Sequence, residues 1–187
     1  SLIQALDLGP VLFVGLSLGG MLGQVLGVKH AALVSLLVLS DTSSLMVPRS
    51  LWEERIIMAR EQGMDALAPG TLERWFTAPF HASDPDIVAG IGKTIRATPR
   101  EGYAACSEAI RDMDLRGTLS AISAPTLVMV GADDPATPPS ASEAIAGEID
   151  GAQLVILEQA AHLSNVEQAG PFNEALMAFL KAREVQD

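Results

Sequence analysis

The sequence predicts an α/β fold, a mostly parallel sheet carrying a helical insertion. Three observations predict it. Short apolar runs alternate with helical segments near both ends of the chain. The middle of the chain shows helical periodicity alone. Each of the main apolar runs also stops at a glycine or a polar loop, as buried parallel strands do.

Taken in order, residues 1–7 (SLIQALD) read as the end of an amphipathic helix halted by Gly9 and Pro10. Residues 11–15 form a buried strand, and residues from Ser17 to Lys29 a helix. Residues 33–40 (LVSLLVLS) are a second buried strand. Strand, helix, strand in so short a span is a parallel crossover unit. From residue 48 to 116 the apolar positions recur at helical spacing: Trp52, Ile56 and Ile57, then Leu67, Leu72, Trp75 and Phe76. After a break between Pro79 and Pro85 come Ile87, Ile91 and Ile95, then Tyr103, Ile110 and Met113. Alternation returns with a strand at 126–131 (TLVMVG). Thr137 is expected to cap a helix with Pro138 at its first position. A strand at 153–158, a loop around His162 and an amphipathic helix over 171–185 complete the chain. Residues 1–47 and 117–187 thus form the core, and 48–116 the helical insertion.

Of the 187 residues, 49% are hydrophobic, ample for a core. The net charge of −11 disfavours nucleic acid or an anionic membrane as partner. An anionic substrate would need a local Arg or Lys. Cys106 is the single cysteine, so no intrachain disulfide forms; a reducing, cytoplasmic setting and a small buried Cys106 are expected. No basic segment with a cleavage site marks a secretory leader. The uncharged stretch 8–28, with Gly15, Gly19, Gly23 and Gly27 at four-residue spacing, also fits a packed transmembrane helix. Pro10, Ser17, Gln24 and six glycines lower its apolar transfer energy, so a soluble helix pressed against a sheet is the expectation.

The chemistry gathers at the ends of strands. Gly15-Leu-Ser17-Leu-Gly19 follows the first strand and opens a helix, the context in which a serine is presented on a strained turn. Glycines are expected at both flanks because side chains there would collide with strand and helix. The Leu18 N–H, at the helix N-terminus, is a candidate oxyanion donor. Asp133 and Asp134 follow the strand at 126–131, and His162 follows the next strand. Loops at the carboxyl ends of parallel strands share one rim, so Ser17, an Asp and His162 can converge there as nucleophile, orienting acid and general base. Asp41, also beyond a strand, is a lesser alternative acid. His30 and His81 are assigned surface or packing roles.

The order Ser, acid, His is that of the α/β-hydrolases. The segments GLSLGGMLGQ, LERWFTAPF, TPREGYAACSEAIRDMDLR, ISAPTLVMVGADDPATPP and AAHLSNVEQ resemble the 3-oxoadipate enol-lactonases of that superfamily, from residue 15 to residue 168. The resemblance favours Asp134 over Asp133, since that superfamily places its acid three residues after the strand-ending glycine. It implies hydrolysis of a carboxymethyl enol-lactone to 3-oxoadipate, in aromatic catabolism, with no metal or organic cofactor. It makes the helical insertion a cap, with Trp75 lining the pocket and Arg74 anchoring the substrate carboxylate.

Departures from that pattern set further expectations. The loop supplying a second oxyanion donor is not found before Ser17, and about four strands are counted against eight in the superfamily. An N-terminally shortened sequence is therefore expected, with strand 11–15 an exposed edge open to a partner or a second copy. Competing readings are a cofactor-free C–C bond hydrolase or an esterase with the same triad, and a non-catalytic ligand-binding module. A haloalkane dehalogenase is disfavoured because it needs Asp where Ser17 stands.

Overall fold

The computed structural model describes residues 2–184; Ser1 and Val185, each at the end of an expected helix, lie outside them. The chain forms two compact units. One comprises the residues up to Ser44 together with those from Leu115 on, and the other Leu45–Asp114.

The first unit is built on four parallel strands, β1 (Val11–Leu16), β2 (Val34–Ser40), β3 (Thr126–Gly131) and β4 (Gln153–Leu157), adjacent in sequence order. A short helix, α1 (Leu2–Ala5), precedes β1, and α2 (Leu18–Lys29) crosses to β2. A 3-10 turn, Ala31–Leu33, takes the first residue expected of the second strand. The α-helices between β2 and β3 belong to the second unit. After β3 and β4 come α8 (Pro139–Glu148), α9 (Ser164–Glu167) and α10 (Ala169–Glu184).

Alternation along the central strands builds two apolar layers. Leu37 and Leu39 of β2 and Val128 of β3 join Ile145 and Ile149 from α8 and its end. Val38, Leu127 and Met129 face the other way, onto Phe172 and Phe179 of α10. All six residues of β3 are buried, as a strand covered on both faces requires. β1 ends the strand order, and its Leu12 and Val14 are exposed at 40% and 45%.

The glycines of α2 explain how it lies so close to the sheet. A Cβ on Gly23 would stand 2.9 Å from the Leu39 side chain, and one on Gly20 2.7 Å from Thr42. Of the four-residue ladder, Gly23 faces the sheet and Gly27 faces Ile122, whereas Gly15 lies in β1 and an added Cβ on Gly19 meets nothing within 4 Å. Among the described residues, no helix is long and apolar enough to cross a membrane.

The second unit contains α3 (Arg49–Gln62), α4 (Met64–Trp75), α5 (Ala78–Ser83), α6 (Pro85–Ala97) and α7 (Arg100–Asp112), with a bridge between Leu45 and Asp114 joining its ends. Ala59, Met64, Leu67, Ala68 and Ile95 form its core. The break expected between Pro79 and Pro85 holds α5, whose N-terminus is capped by Thr77 accepting the Phe80 N–H at 3.4 Å. Cys106 is exposed, correcting the expectation of a buried thiol. Helix α7 buries Ala104, Ser107 and Ile110, a stripe at threefold spacing that turns Cys106 outward.

Three further details differ from expectation. Helix α8 begins at Pro139 with Pro138 as its N-cap, and Thr137 does not cap it. Helix α9 forms directly after the His162 loop. Helix α10 begins two residues early, at Ala169.

Candidate active site

The register of the sheet brings the strands' carboxyl ends level: Leu16 pairs with Ser40, Ser40 with Met129, and Gly131 with Leu157. Ser17, Asp134 and His162 all follow from these ends.

Ser17 stands at φ 55° and ψ −115°, a left-handed conformation that a non-glycine residue holds only under strong constraint. The constraints are local. Its N–H donates to the Ser40 carbonyl at 2.9 Å, and its carbonyl accepts from the Met21 N–H at 3.0 Å and the Thr42 hydroxyl at 2.8 Å. A Cβ on Gly15 would meet the Gly19 carbonyl oxygen at 2.2 Å, so glycine is mandatory there. Around Gly19 nothing lies within 4 Å of an added Cβ, which corrects the expectation for that flank. It is the Gly19 backbone that crowds Gly15. Leu18 is the first residue of α2, so its N–H has no acceptor within the helix and stands beside the Ser17 hydroxyl's turn.

His162 is 4% exposed on the loop between β4 and α9. Its Nε2 is 2.9 Å from Ser17 Oγ, and its Nδ1 is 2.8 Å from Asp134 Oδ2. Asp134 Oδ1 accepts the N–H groups of Ala136 and Thr137 at 2.8 and 3.0 Å, and Oδ2 accepts the Thr137 hydroxyl at 2.6 Å. Burial works against ionisation of this carboxyl. The hydrogen bond and charge of His162, with the Thr137 donors, outweigh it and hold the pKa below the usual range. An ionised Asp134 can only accept, so Nδ1 carries the proton and Nε2 presents a lone pair to the Ser17 hydroxyl. Such an arrangement can draw the proton from Ser17 and stabilise the imidazolium that results.

Two contacts press the loops together. The Asp133 N–H donates to the Ala160 carbonyl at 2.9 Å. A Cβ on Gly131 would stand 2.4 Å from the Ala160 and Ala161 carbonyl oxygens, so glycine at this strand end lets the His162 loop approach. The Ala161 N–H is held by Glu167 at 2.9 Å. Sequence reasoning missed Thr137 and Glu167. The three-residue step from Asp134 to Thr137, a side-chain-to-backbone turn spacing, was the available signal for the first.

Asp41 does not bond His162. It accepts the Gly131 N–H at 2.9 Å and the hydroxyls of Ser40 and Ser164, both at 2.5 Å, which removes it as an alternative partner of the imidazole. Burial raises its pKa to about 6, against the lowering effect of those bonds and of His162. The sign for stability follows. Between 3.8 and about 6 the folded chain keeps a proton that the unfolded chain releases, so stability falls as pH rises through that window. Relative to Asp41→Asn, the protein is expected to lose about 3 kcal/mol across it, read from urea titrations at a series of pH values. Asp134 contributes in the opposite sense: its stabilisation is present above the unfolded Asp value and is lost as pH falls below it.

His30 is exposed at the end of α2. In the second unit, His81 Nε2 lies 3.1 Å from the Leu72 carbonyl oxygen. Arg74 there is half-buried, its Nη2 donating to Thr71 Oγ1 at 3.3 Å, and burial lowers its guanidinium pKa. Trp75 packs against the Met64 and Leu67 core.

The chain is similar to known proteins over nearly all of its length. The chain is 34% identical to 3-oxoadipate enol-lactonase 2 of Acinetobacter baylyi over 97% of its own length and 67% of that protein. It superposes on the enol-lactonase of Burkholderia xenovorans LB400 with a TM-score of 0.94 and 37% identity, covering 96% of this chain and 69% of that one. A thermophilic esterase from Thermogutta terrifontis gives 0.90 and 28%, covering 97% and 68%. The profile of the alpha/beta hydrolase family matches residues 1–175. The chain belongs to the alpha/beta hydrolase family.

Proposed function

We propose that the protein hydrolyses a carboxymethyl enol-lactone to 3-oxoadipate, with Ser17 as nucleophile, His162 as general base and Asp134 as its orienting acid. The observation that carries this reading is His162 held between Ser17 Oγ at 2.9 Å and Asp134 Oδ2 at 2.8 Å. The similarity to enol-lactonases supplies the substrate class. In the reaction, His162 Nε2 takes the Ser17 proton as Oγ attacks the lactone carbonyl. The Leu18 N–H stabilises the oxyanion. Collapse breaks the ring C–O bond; the enol oxygen leaves with the proton from His162 and tautomerises to the ketone. Water, deprotonated by His162, then hydrolyses the ester on Ser17. The site calls on no metal or organic cofactor.

In this reading the helical unit sets substrate choice, with Trp75 offering an apolar wall and Arg74 a carboxylate anchor. Arg74 suits that role because the net charge of −11 repels an anionic substrate and leaves its capture to a local cation. Arg74→Ala is expected to raise KM for the anionic lactone by about 10- to 100-fold. Turnover of a neutral ester should stay level, which a steady-state comparison of the two substrates reads.

The test of the proposal is twofold. A fluorophosphonate should label Ser17 alone, located by peptide mass spectrometry, and the purified chain should open the enol-lactone. Labelling with activity on simple esters or on vinylogous diketones, but none on the lactone, reassigns it as an esterase or a C–C bond hydrolase. An unlabelled chain is a binding module.

A further inference from the structure

A second buried carboxylate stands at the same rim and takes no part in the steps above. Asp41 directly follows β2 at φ 44°, a left-handed conformation held by its N–H donating to the Met129 carbonyl at 2.9 Å. Its Oδ1 holds the Gly131 N–H, at the start of the segment leading to Asp134. Its Oδ2 receives the hydroxyls of Ser40 on β2 and of Ser164, two residues beyond His162. One carboxylate therefore ties together three separate segments: the end of β2, the end of β3 and the start of α9, two residues beyond the imidazole.

Among the described residues, the hydrogen bonds to the Asp41 carboxylate come from hydroxyls and an amide, none from Lys or Arg. A fully buried carboxylate without a cation is costly unless something else requires it. The one group of opposite potential charge that bears on it is His162, whose imidazolium would lower the Asp41 pKa. The other titratable groups on the surrounding elements are Asp134 and Asp133 after β3 and Glu167 on α9. Asp134 is engaged with His162 and Thr137, and Glu167 with the Ala161 N–H.

We infer that Asp41 is a positioning residue for His162. Through Ser164 it fixes the loop that carries the imidazole, and its charge favours the imidazolium formed when Ser17 gives up its proton. The inference rests on the reading of Ser17 and His162 as nucleophile and base. It differs from the role of Asp134, which touches the ring. Burial leaves Asp41 with a pKa of about 6, so it is charged in the neutral and alkaline range where a serine hydrolase works. So buried, its charge is screened less from the imidazole than an exposed carboxylate would be.

The two parts of the role can be separated by substitution. In Asp41→Asn the amide oxygen can keep the Gly131 N–H. The amide nitrogen can donate to the Ser40 and Ser164 hydroxyls, whose protons turn away. The tie survives and the charge is lost. Ser164→Ala cuts the tie and keeps the charge.

The measurement is the rate of fluorophosphonate labelling of the full chain as a function of pH, followed by intact mass. For Asp41→Asn, labelling on the plateau should slow by about tenfold and the acid limb should move down by about half to one pH unit. For Ser164→Ala the rate should fall by about tenfold with the limb unmoved, and Ser164→Thr, which restores a hydroxyl, should recover most of it. An acid limb in Asp41→Asn identical to that of the parent overturns the electrostatic part. Parent-like labelling in Ser164→Ala overturns the tie. If Asp41→Asn does not fold, the Ser164→Ala and Ser164→Thr pair decides the matter. A parent chain that takes no label overturns both this inference and the Ser17 reading. A parent that labels while both variants match it overturns this inference alone.

Discussion

Ser17→Ala is expected to reduce lactone hydrolysis by about 10⁶-fold, the loss seen when a serine nucleophile is removed from an intact triad. The fold should be unaffected. The bonds that pin this turn run through the Ser17 N–H and carbonyl, to Ser40, Met21 and Thr42, and none of them uses the hydroxyl. Alanine bears the same left-handed backbone strain as serine, so stability should change by less than about 1 kcal/mol. Initial rates with the enol-lactone and a thermal melt check both halves. A variant retaining hydrolysis within a factor of a few would remove Ser17 from the mechanism.

Asp134→Asn comes second, with an expected loss of about 10⁴-fold in kcat. The amide that replaces the carboxylate can point its NH2 at Nδ1. It would then stabilise the tautomer with the proton on Nε2, which faces Ser17 Oγ at 2.9 Å and could no longer accept from it. The Ala136 and Thr137 N–H groups reinforce the effect, because both donate to Oδ1 and so favour the amide oxygen there, leaving the NH2 at the position that faces Nδ1. The contrast with Asp41→Asn is diagnostic. Both remove one buried carboxylate from the same rim, yet about three orders of magnitude should separate them, because only Asp134 decides which nitrogen holds the proton.

The fold class and family were legible because their signals are local and mutually consistent. Apolar runs ending at Gly15 and Gly131 read directly as strands, and the chain order of Ser17, Asp134 and His162 is a one-dimensional property. What escaped depended on contacts distant in sequence. Gly20 and Gly23, not Gly19, are the tight positions of α2, since what crowds them is Thr42 and β2. Thr137 looks like a helix cap from its neighbours Pro138 and Pro139, but Pro138 takes the cap position and the Thr137 hydroxyl donates to Asp134. Cys106 was misjudged because small residues on a helix are ambiguous until one knows which stripe is buried; here it is Ala104, Ser107 and Ile110. Asp41 could be flagged only as another acid after a strand. Its link to Ser164 spans 123 residues.

Ser17 and His162 are hydrogen-bonded across 145 positions of sequence. Between them, β2 and β3 pair only after the whole segment from Ser40 to Thr126 has been threaded. Parallel pairings this remote are late and slow events in folding, because loop closure must precede any gain from contact. During synthesis Ser17 emerges well ahead of His162, and the two meet only once the strands that carry them have paired. With Ser17 as the proposed nucleophile, its hydroxyl is expected to be silent in any partly folded chain. Its reactivity towards a fluorophosphonate is a clock for completion of the sheet, usable in refolding or ribosome-release experiments.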